Sequence, residues 1–242
     1  MAGHSKWAKV KRLKGSLDVK RGRIFAKLAK EIAIAAKMAG GDPDLNPRLR
    51  MVLFKCRGAN MPSDNIDRAI KKGTGGGEAA HFEDLTYEVY GPHGVALLVE
   101  MSTDNRNRTA ADIRIILAKT GGTLATAGSV SRLFQRKGQM IIARDAANED
   151  QLMEIALEAG AEDFKADEDS YEILTEPSNF EQVHKVIEAK GIKCAAAEVT
   201  SLPTLTVPLS EPGAMEAVTK LIDVLEDHDD VKDVYCNAQF SE

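Results

Sequence analysis

Lys6, Lys9, Lys11, Arg12 and Lys14 surround Trp7, the one tryptophan of the chain. Cations at this density neutralise phosphates and release counterions, which drives sequence-independent binding to nucleic acid. The indole could stack on an unpaired base or pack on the chain's own helices. Lys20, Arg23, Lys27 and Lys30 continue the cationic pattern at helical spacing, with Arg21 out of phase in the first turn. A second grouping, Asp104, Asn105, Arg106, Asn107 and Arg108, lies between Thr103 and Thr109, where a strand should give way to a helix. It reads in two ways. Arginine forks and helix-end N–H groups would hold a phosphate or an RNA strand, or caps and turns would simply hold the loop.

Other chemistry finds little support. His4, His81, His93, His184 and His228 have no partner at a motif spacing, and no nucleophile elbow, zinc-protease or dinucleotide pattern is present. Cys56, Cys194 and Cys236 form neither a zinc pattern nor a disulfide framework, as expected in a reducing cytoplasm. Cys56 sits between Lys55 and Arg57 but falls on an apolar helix face, which favours an inert core thiol. Glu162, Asp163, Asp167, Glu168 and Asp169 read as a solvated loop. Glu226, Asp227, Asp229 and Asp230 around His228 read as a helix end plus turn. Gly73, Gly75, Gly76 and Gly77 lack the G-x-x-x-x-G-K-[ST] pattern and read as a flexible hinge. The expectation is no catalytic residue, no metal and no cofactor.

Charge is divided sharply along the chain. Residues 1–75 hold 18 basic and 6 acidic side chains, a net of +12, while the other 167 residues carry a net of −17. The overall −5 hides this asymmetry, which points to nucleic acid or a membrane surface. The longest apolar runs are five residues, far short of the roughly 20 needed to span a bilayer. An acidic remainder would discourage non-specific sticking and confine contact to the basic part.

The elements that position these residues follow from periodicity. Residues 20–38 predict a helix with Ile24, Phe25, Leu28 and Ile32 on one arc and the cations opposite. Asn46-Pro47 predicts an N-cap and first turn, with Leu49, Val52, Leu53 and Cys56 inward. Pro62-Ser63 starts a third helix, ending at Gly73. Strands at 85–90 and 95–101 flank a turn at Gly91–Gly94. Thr109 and Asp112 have capping-box spacing for a helix to Thr120, and Ser129–Phe134 reads as a short strand. Residues 138–202 then read as βαββαβ, the ferredoxin-like order. A strand at 205–207, a helix at 213–225 and a strand at 231–236 complete the chain. Incomplete layers on either side of the βαββαβ unit imply one discontinuous domain with the other inserted in it. The expected domains are 1–77, basic and helical with the glycine hinge; 78–136 with 203–242; and 137–202.

Several stretches together resemble the YebC/PmpR family. They are Met1-Ala2-Gly3-His4-Ser5-Lys6-Trp7, Lys20-Arg21-Gly22-Arg23-Ile24-Phe25, Ala59-Asn60-Met61-Pro62 with Asn65-Ile66, and Ala69-Ile70-Lys71-Lys72-Gly73-Thr74-Gly75. Tyr87-Glu88-Val89-Tyr90-Gly91-Pro92 with Gly94-Val95, the Thr103 to Thr109 loop, and Gly128-Ser129-Val130 with Phe134 continue the match over essentially the whole chain. The run from Lys9 to Leu17 departs from the usual pattern, and Gly15 weakens helix there. The resemblance implies three domains, one helical and two α/β. It also implies either promoter binding or ribosome association that helps translate difficult stretches such as consecutive prolines. It adds His4 and Ser5 to the candidate interface.

The combined expectation is an α+β protein of three domains, with a ferredoxin-like α/β domain inserted in another α/β domain. It would be a non-enzymatic, cytoplasmic, monomeric nucleic-acid-binding protein with no membrane contact. Ribosomal RNA is the favoured partner and promoter DNA the alternative. The three helices at the start show no clear helix-turn-helix pair and no heptad seam for a palindromic operator.

Overall fold

A computed structural model of the chain describes residues 18–75 and 82–240. Among the described residues, three helices come first: α1 (Asp18–Ala39), α2 (Pro47–Gly58) and α3 (Ser63–Thr74). Their shared core holds Leu28, Ile32, Ala35, Leu49, Val52, Cys56, Met61 and Ala69, so the apolar arcs read from spacing are the faces that meet. Asn46 joins α1 to α2. Its side chain is fully buried, accepts the Leu49 N–H at 3.0 Å, and donates to Ala35 O at 2.8 Å and Gly40 O at 2.7 Å.

Gly73 does not cap α3 or begin a hinge. It lies inside the helix, where α3 crosses α1 at close range. A Cβ there would collide with the Ala33 carbonyl oxygen and stand 2.9 Å from the Ala36 Cβ. Glycine is required by this approach of two backbones.

Among the described residues, ten strands follow: β1 (Glu83–Tyr90), β2 (Ala96–Thr103), β3 (Thr123–Leu124), β4 (Phe134–Ala143), β5 (Asp163–Ala166), β6 (Ser170–Thr175), β7 (Ala196–Pro203), β8 (Val207–Leu209), β9 (Val231–Cys236) and β10 (Ala238–Phe240). Between them lie α4 (Arg106–Thr120), α5 (Glu149–Glu158), α6 (Phe180–Ala189) and α7 (Pro212–Asp227). The chain is therefore mixed helix and sheet, with N-terminal helices and two four-stranded sheets, as its patterning predicts.

One sheet has the order β5-β6-β4-β7, and its elements run β4-α5-β5-β6-α6-β7. This is the ferredoxin-like arrangement, with β6 antiparallel to both β4 and β5. Met140, Ile142, Tyr171 and Ile173 pack with Leu152, Ala156, Val183 and Ile187 of the two helices. Gln139 and Glu172 lie on the opposite face, each almost fully buried. The Gln139 amide donates to Glu172, while Gln139 Oε1 accepts no hydrogen bond. Burial pushes the Glu172 carboxyl above its usual range, partly offset by the Gln139 bond.

Glu172→Gln should therefore stabilise the fold at neutral pH, because a second amide removes the buried charge and supplies the donor that Gln139 Oε1 lacks. The raised carboxyl favours the folded state when protonated and loses that stability as pH rises through its folded pKa. The advantage of the variant should shrink toward acidic pH. Denaturant melts at neutral and acidic pH test this, and a variant less stable than the parent at neutral pH would refute it.

The second sheet has the order β3-β1-β2-β9, with β1 antiparallel to β2 and β9 antiparallel to β2. Val89, Leu97, Val99 and Met101 pack against Ile113, Leu117, Val218 and Leu221. The β1–β2 turn is a short 3-10 segment, Pro92–Gly94, in which His93 and Gly94 both take positive φ. Ser129–Phe134 is not a strand. Residues Ser131–Leu133 form a 3-10 turn and β4 begins only at Phe134. The reason lies in Glu88, whose carboxylate accepts the N–H groups of Gly128, Val130 and Ser131 at 2.6, 2.5 and 3.0 Å. Those amides are taken before any ladder could use them. The strand expected at 205–207 is also displaced. It is Val207–Leu209, paired parallel with β10, whose three residues spacing alone did not reveal.

Packing divides the chain into two compact units. One joins the described part of Met1–Gly77 to Arg136–Thr200; the other joins that of Glu78–Gln135 to Ser201–Glu242. Within the first, α2 rests on α6. The Phe54 ring meets Phe180 edge-on at 5.5 Å and His184 at 4.8 Å, and Arg50 pairs with Glu181 at 3.3 Å. Burial holds the His184 imidazole below its usual pKa, Glu188 pulling it up and Arg57 pushing it further down.

Candidate nucleic-acid interface

The cations expected to bind phosphate fall into three groups. His4, Ser5, Lys6, Trp7, Lys9, Lys11, Arg12 and Lys14 lie outside the described residues. Lys20 and Arg21 belong to the first turn of α1, but their side chains also lie outside the description. Arg23, Lys27 and Lys30 are described. Arg23 is exposed, whereas Lys27 and Lys30 are half-buried and Ile34 on the same arc is buried. Each of the three cations already has an interaction of its own. The basic arc expected from helical phasing is therefore partly covered. Periodicity places side chains around an axis but does not say what covers them.

The Thr103–Thr109 loop is largely a network of caps. Helix α4 begins at Arg106, and its N-cap is Asn105, whose side chain accepts the Arg108 N–H at 3.1 Å. The capping-box reading at Thr109 is thus overturned. Thr109 is buried one turn inside, its Oγ1 lying 2.8 Å from Thr103 Oγ1 and 2.8 Å from Asp230 Oδ2. Asn105 N donates to Thr103 Oγ1 at 2.9 Å. Arg108 Nη2 bridges Asp104 at 2.8 Å and Asp230 at 3.2 Å. Asp230 N in turn donates to His228 Nδ1 at 3.1 Å, which leaves Nε2 as the protonated nitrogen facing Asp112 at 3.5 Å. The two arginines separate in role. Arg108 is spent inside the network, whereas Arg106 and Asn107 are exposed at the helix start.

Asp230 is the residue that sequence reasoning missed. It was grouped with a surface acidic turn, yet it is buried and anchors the loop. The available signal was an arginine and two hydroxyls at Thr103–Thr109 that needed an acceptor. Two acids of the expected solvated loop also have structural places: Asp163 opens β5, and Glu162 pairs with Lys137 at 2.6 Å. Burial pushes the thiols of Cys56, Cys194 and Cys236 up to about 11, about 12 and about 11. For Cys56, Glu31 adds to burial and Lys55 opposes it. Such thiols are poor nucleophiles. Among the described residues, no group of three or more His, Cys, Asp or Glu could hold a metal ion, and no helix is long and apolar enough to cross a membrane.

Comparison with known proteins gives the lineage. Residues 5–76 match the family described as the TACO1/YebC protein N-terminal domain, and residues 82–238 match the TACO1/YebC second and third domain. The chain belongs to the TACO1/YebC family. Relatives at this level include a probable transcriptional regulatory protein of Syntrophus aciditrophicus, 52% identical over 98% of this chain and 95% of its own length. Another, from Caldanaerobacter subterraneus subsp. tengcongensis, is 51% identical over the full length of both chains and carries the same description. A solved structure, a conserved hypothetical protein from Aquifex aeolicus, superposes with a TM-score of 0.81 at 40% identity, covering 94% of this chain and 93% of that one. Within this TACO1/YebC chain, the motifs first noticed as a resemblance have physical duties. Gly73 lets α3 touch α1, Glu88 collects three amides, and Thr103, Asn105 and Thr109 build the start of α4.

Proposed function

We propose that the chain is a non-enzymatic, cytoplasmic regulator of gene expression that binds nucleic acid as a monomer through its basic N-terminal part. Its target in this reading is RNA of the translating ribosome, where it assists synthesis of difficult stretches such as proline-rich ones. The observation that carries the reading is the charge partition, +12 in the first 75 residues of a chain whose total is −5. Such a concentration favours phosphate contact over simple solvation.

Promoter DNA is the second reading, favoured by the description of the relatives as probable transcriptional regulatory proteins. The geometry of α3 argues against it. A recognition helix presents its N-terminal residues to base edges in the major groove. The exposed N-terminal half of α3 instead carries Asp64 and Asp67, which the phosphates flanking a groove would repel.

Alanine at Lys20, Arg23, Lys27 and Lys30 together should weaken RNA binding and flatten its salt dependence. Each lost phosphate contact should lower the log–log salt slope by about 0.7–0.9. Unchanged affinity and slope would sink the basic-helix reading. Crosslinking in cells, with sequencing of the bound nucleic acid, should recover ribosomal RNA; recovery of promoter DNA without it would install the second reading.

A further inference from the structure

Helix α2 carries a stripe turned away from its own bundle. At about 100° per residue, Arg50, Phe54 and Arg57 fall within an arc of about 60°. Leu49, Val52 and Cys56 point the other way, into the core shared with α1 and α3. Helix α6 meets the stripe. Its Glu181 pairs with Arg50, and its Phe180 and His184 receive Phe54. His184 stands inside this contact, only 4% exposed. Its ring centre lies 4.8 Å from that of Phe54 on α2 and 5.9 Å from that of Phe180 on its own helix. Its Nδ1 is buried and makes no hydrogen bond, with Glu188 Oε2 standing 3.5 Å away.

The charge on this imidazole decides how well the two helices fit. Neutral, the ring is one more aromatic side chain packed among others. Protonated, it becomes a cation whose Nδ1–H lacks an acceptor in an apolar contact. The neighbouring charges divide by helix. Glu188 favours the imidazolium, but it lies one turn along α6 and stays with His184 if the helices part. Arg57 disfavours it and comes from α2, so this repulsion exists only in the closed joint. Phe180 also stays with His184, whereas Phe54 comes from α2 and already has the Arg57 guanidinium 5.5 Å from its ring centre. Lys185 and Arg50 hold the Glu181 carboxyl below its usual range, so the Arg50–Glu181 tie persists while the imidazole titrates. Two things therefore distinguish the closed joint from the parted one, burial of the ring under α2 and the Arg57 charge. Both oppose protonation of the closed joint.

We propose that the α2–α6 joint is an acid-released clamp, in which a proton on His184 parts the three-helix unit from the ferredoxin-like domain. Burial and Arg57 lower the imidazole pKa in the closed joint, and parting restores it toward the usual ~6.5. Closure is thus fully stabilised above that value. The stabilisation is lost as pH falls from there toward the lower value of the closed joint. Opening uncovers Phe54 and frees Arg50 from Glu181. This device is independent of the nucleic-acid reading above.

The test is energy transfer between dyes on R68C and E154C, exposed positions of α3 and α5, in the full-length protein across pH. Burial keeps the native thiols protonated, so the dyes go to the new ones. Transfer should hold steady near neutral pH and then fall, the open-to-closed ratio rising about tenfold or more between about pH 7.5 and 5. His184→Phe keeps a ring that cannot charge and should stay closed over the same range. Arg57→Gln removes the repulsion that α2 supplies and should open only at lower pH than the parent. A parent that stays closed at about pH 5, or a His184→Phe variant that opens where the parent does, would overturn the clamp. Should circular dichroism show His184→Phe to be misfolded, Arg57→Gln decides, and its opening at the parent's pH would overturn the clamp.

Discussion

Asn46→Asp is expected to destabilise the helical bundle at least as much as Asn46→Ala, although Asp is ordinarily as good an N-cap as Asn. The oxygen of Asn46 does what any N-cap oxygen does, accepting the Leu49 N–H. Its nitrogen sets it apart, donating to Ala35 O in α1 and to Gly40 O after it, with the whole residue shielded from water. Alanine removes the cap and leaves two carbonyls without this donor, for roughly 2–4 kcal/mol. Aspartate keeps the cap but aims a buried negative charge at two carbonyl oxygens, for about 3–5 kcal/mol at neutral pH. Protonation would restore one donor. The folded-state pKa of the new carboxyl would thus be raised, and the variant should regain stability as pH falls through it. Denaturant melts of both variants across pH decide the matter. An Asp variant as stable as the parent at neutral pH would show that water reaches this joint.

Glu88→Ala is expected to loosen the segment between α4 and β4, at a loss of about 2–3 kcal/mol. One carboxylate gathers three backbone N–H groups from residues 40 to 43 positions further along the chain. Burial would pull its pKa up, but the bonds from Gly128, Val130 and Ser131 outweigh that and hold the carboxyl below its usual range. A depressed carboxyl contributes stability that is present above its unfolded pKa and disappears as pH falls through the folded value. Glu88→Gln keeps one good acceptor and should lose less than Ala at neutral pH, and the gap between parent and Gln variant should close in acid. Amide hydrogen exchange at Gly128, Val130 and Ser131 gives a local readout. Unchanged protection in the Ala variant would mean that the turn holds itself.

Much of the architecture was legible because its causes are local. The helices at 47–58 and 180–189 and the strand at 231–236 follow from caps, apolar period and turn residues within a few positions. The ferredoxin-like order followed from the succession of strand and helix patterns. The misreadings share one cause. Gly73 looked like a stop because glycine usually is one, yet it is there for a backbone 40 residues earlier. Thr109 looked like a cap because of Asp112, but Asn105 was better placed to accept the first free N–H, and the Thr109 hydroxyl faces Asp230. Ser129–Phe134 looked like a strand because nothing nearby reveals that Glu88 takes its amides.

The candidate interface divides along the same line. By itself the sequence determined the family, the alternation of helix and strand, and the separation of a +12 start from a −17 remainder, since composition and short-range spacing do not depend on the path of the chain. Only the tertiary structure decided which cations are engaged. Arg106 and Arg108 are two positions apart and alike in sequence. A carboxylate 122 residues away, buried beside the start of α4, claims Arg108 and not Arg106. Such pairing depends on where distant strands bring their turns, and no local pattern of residues carries that information.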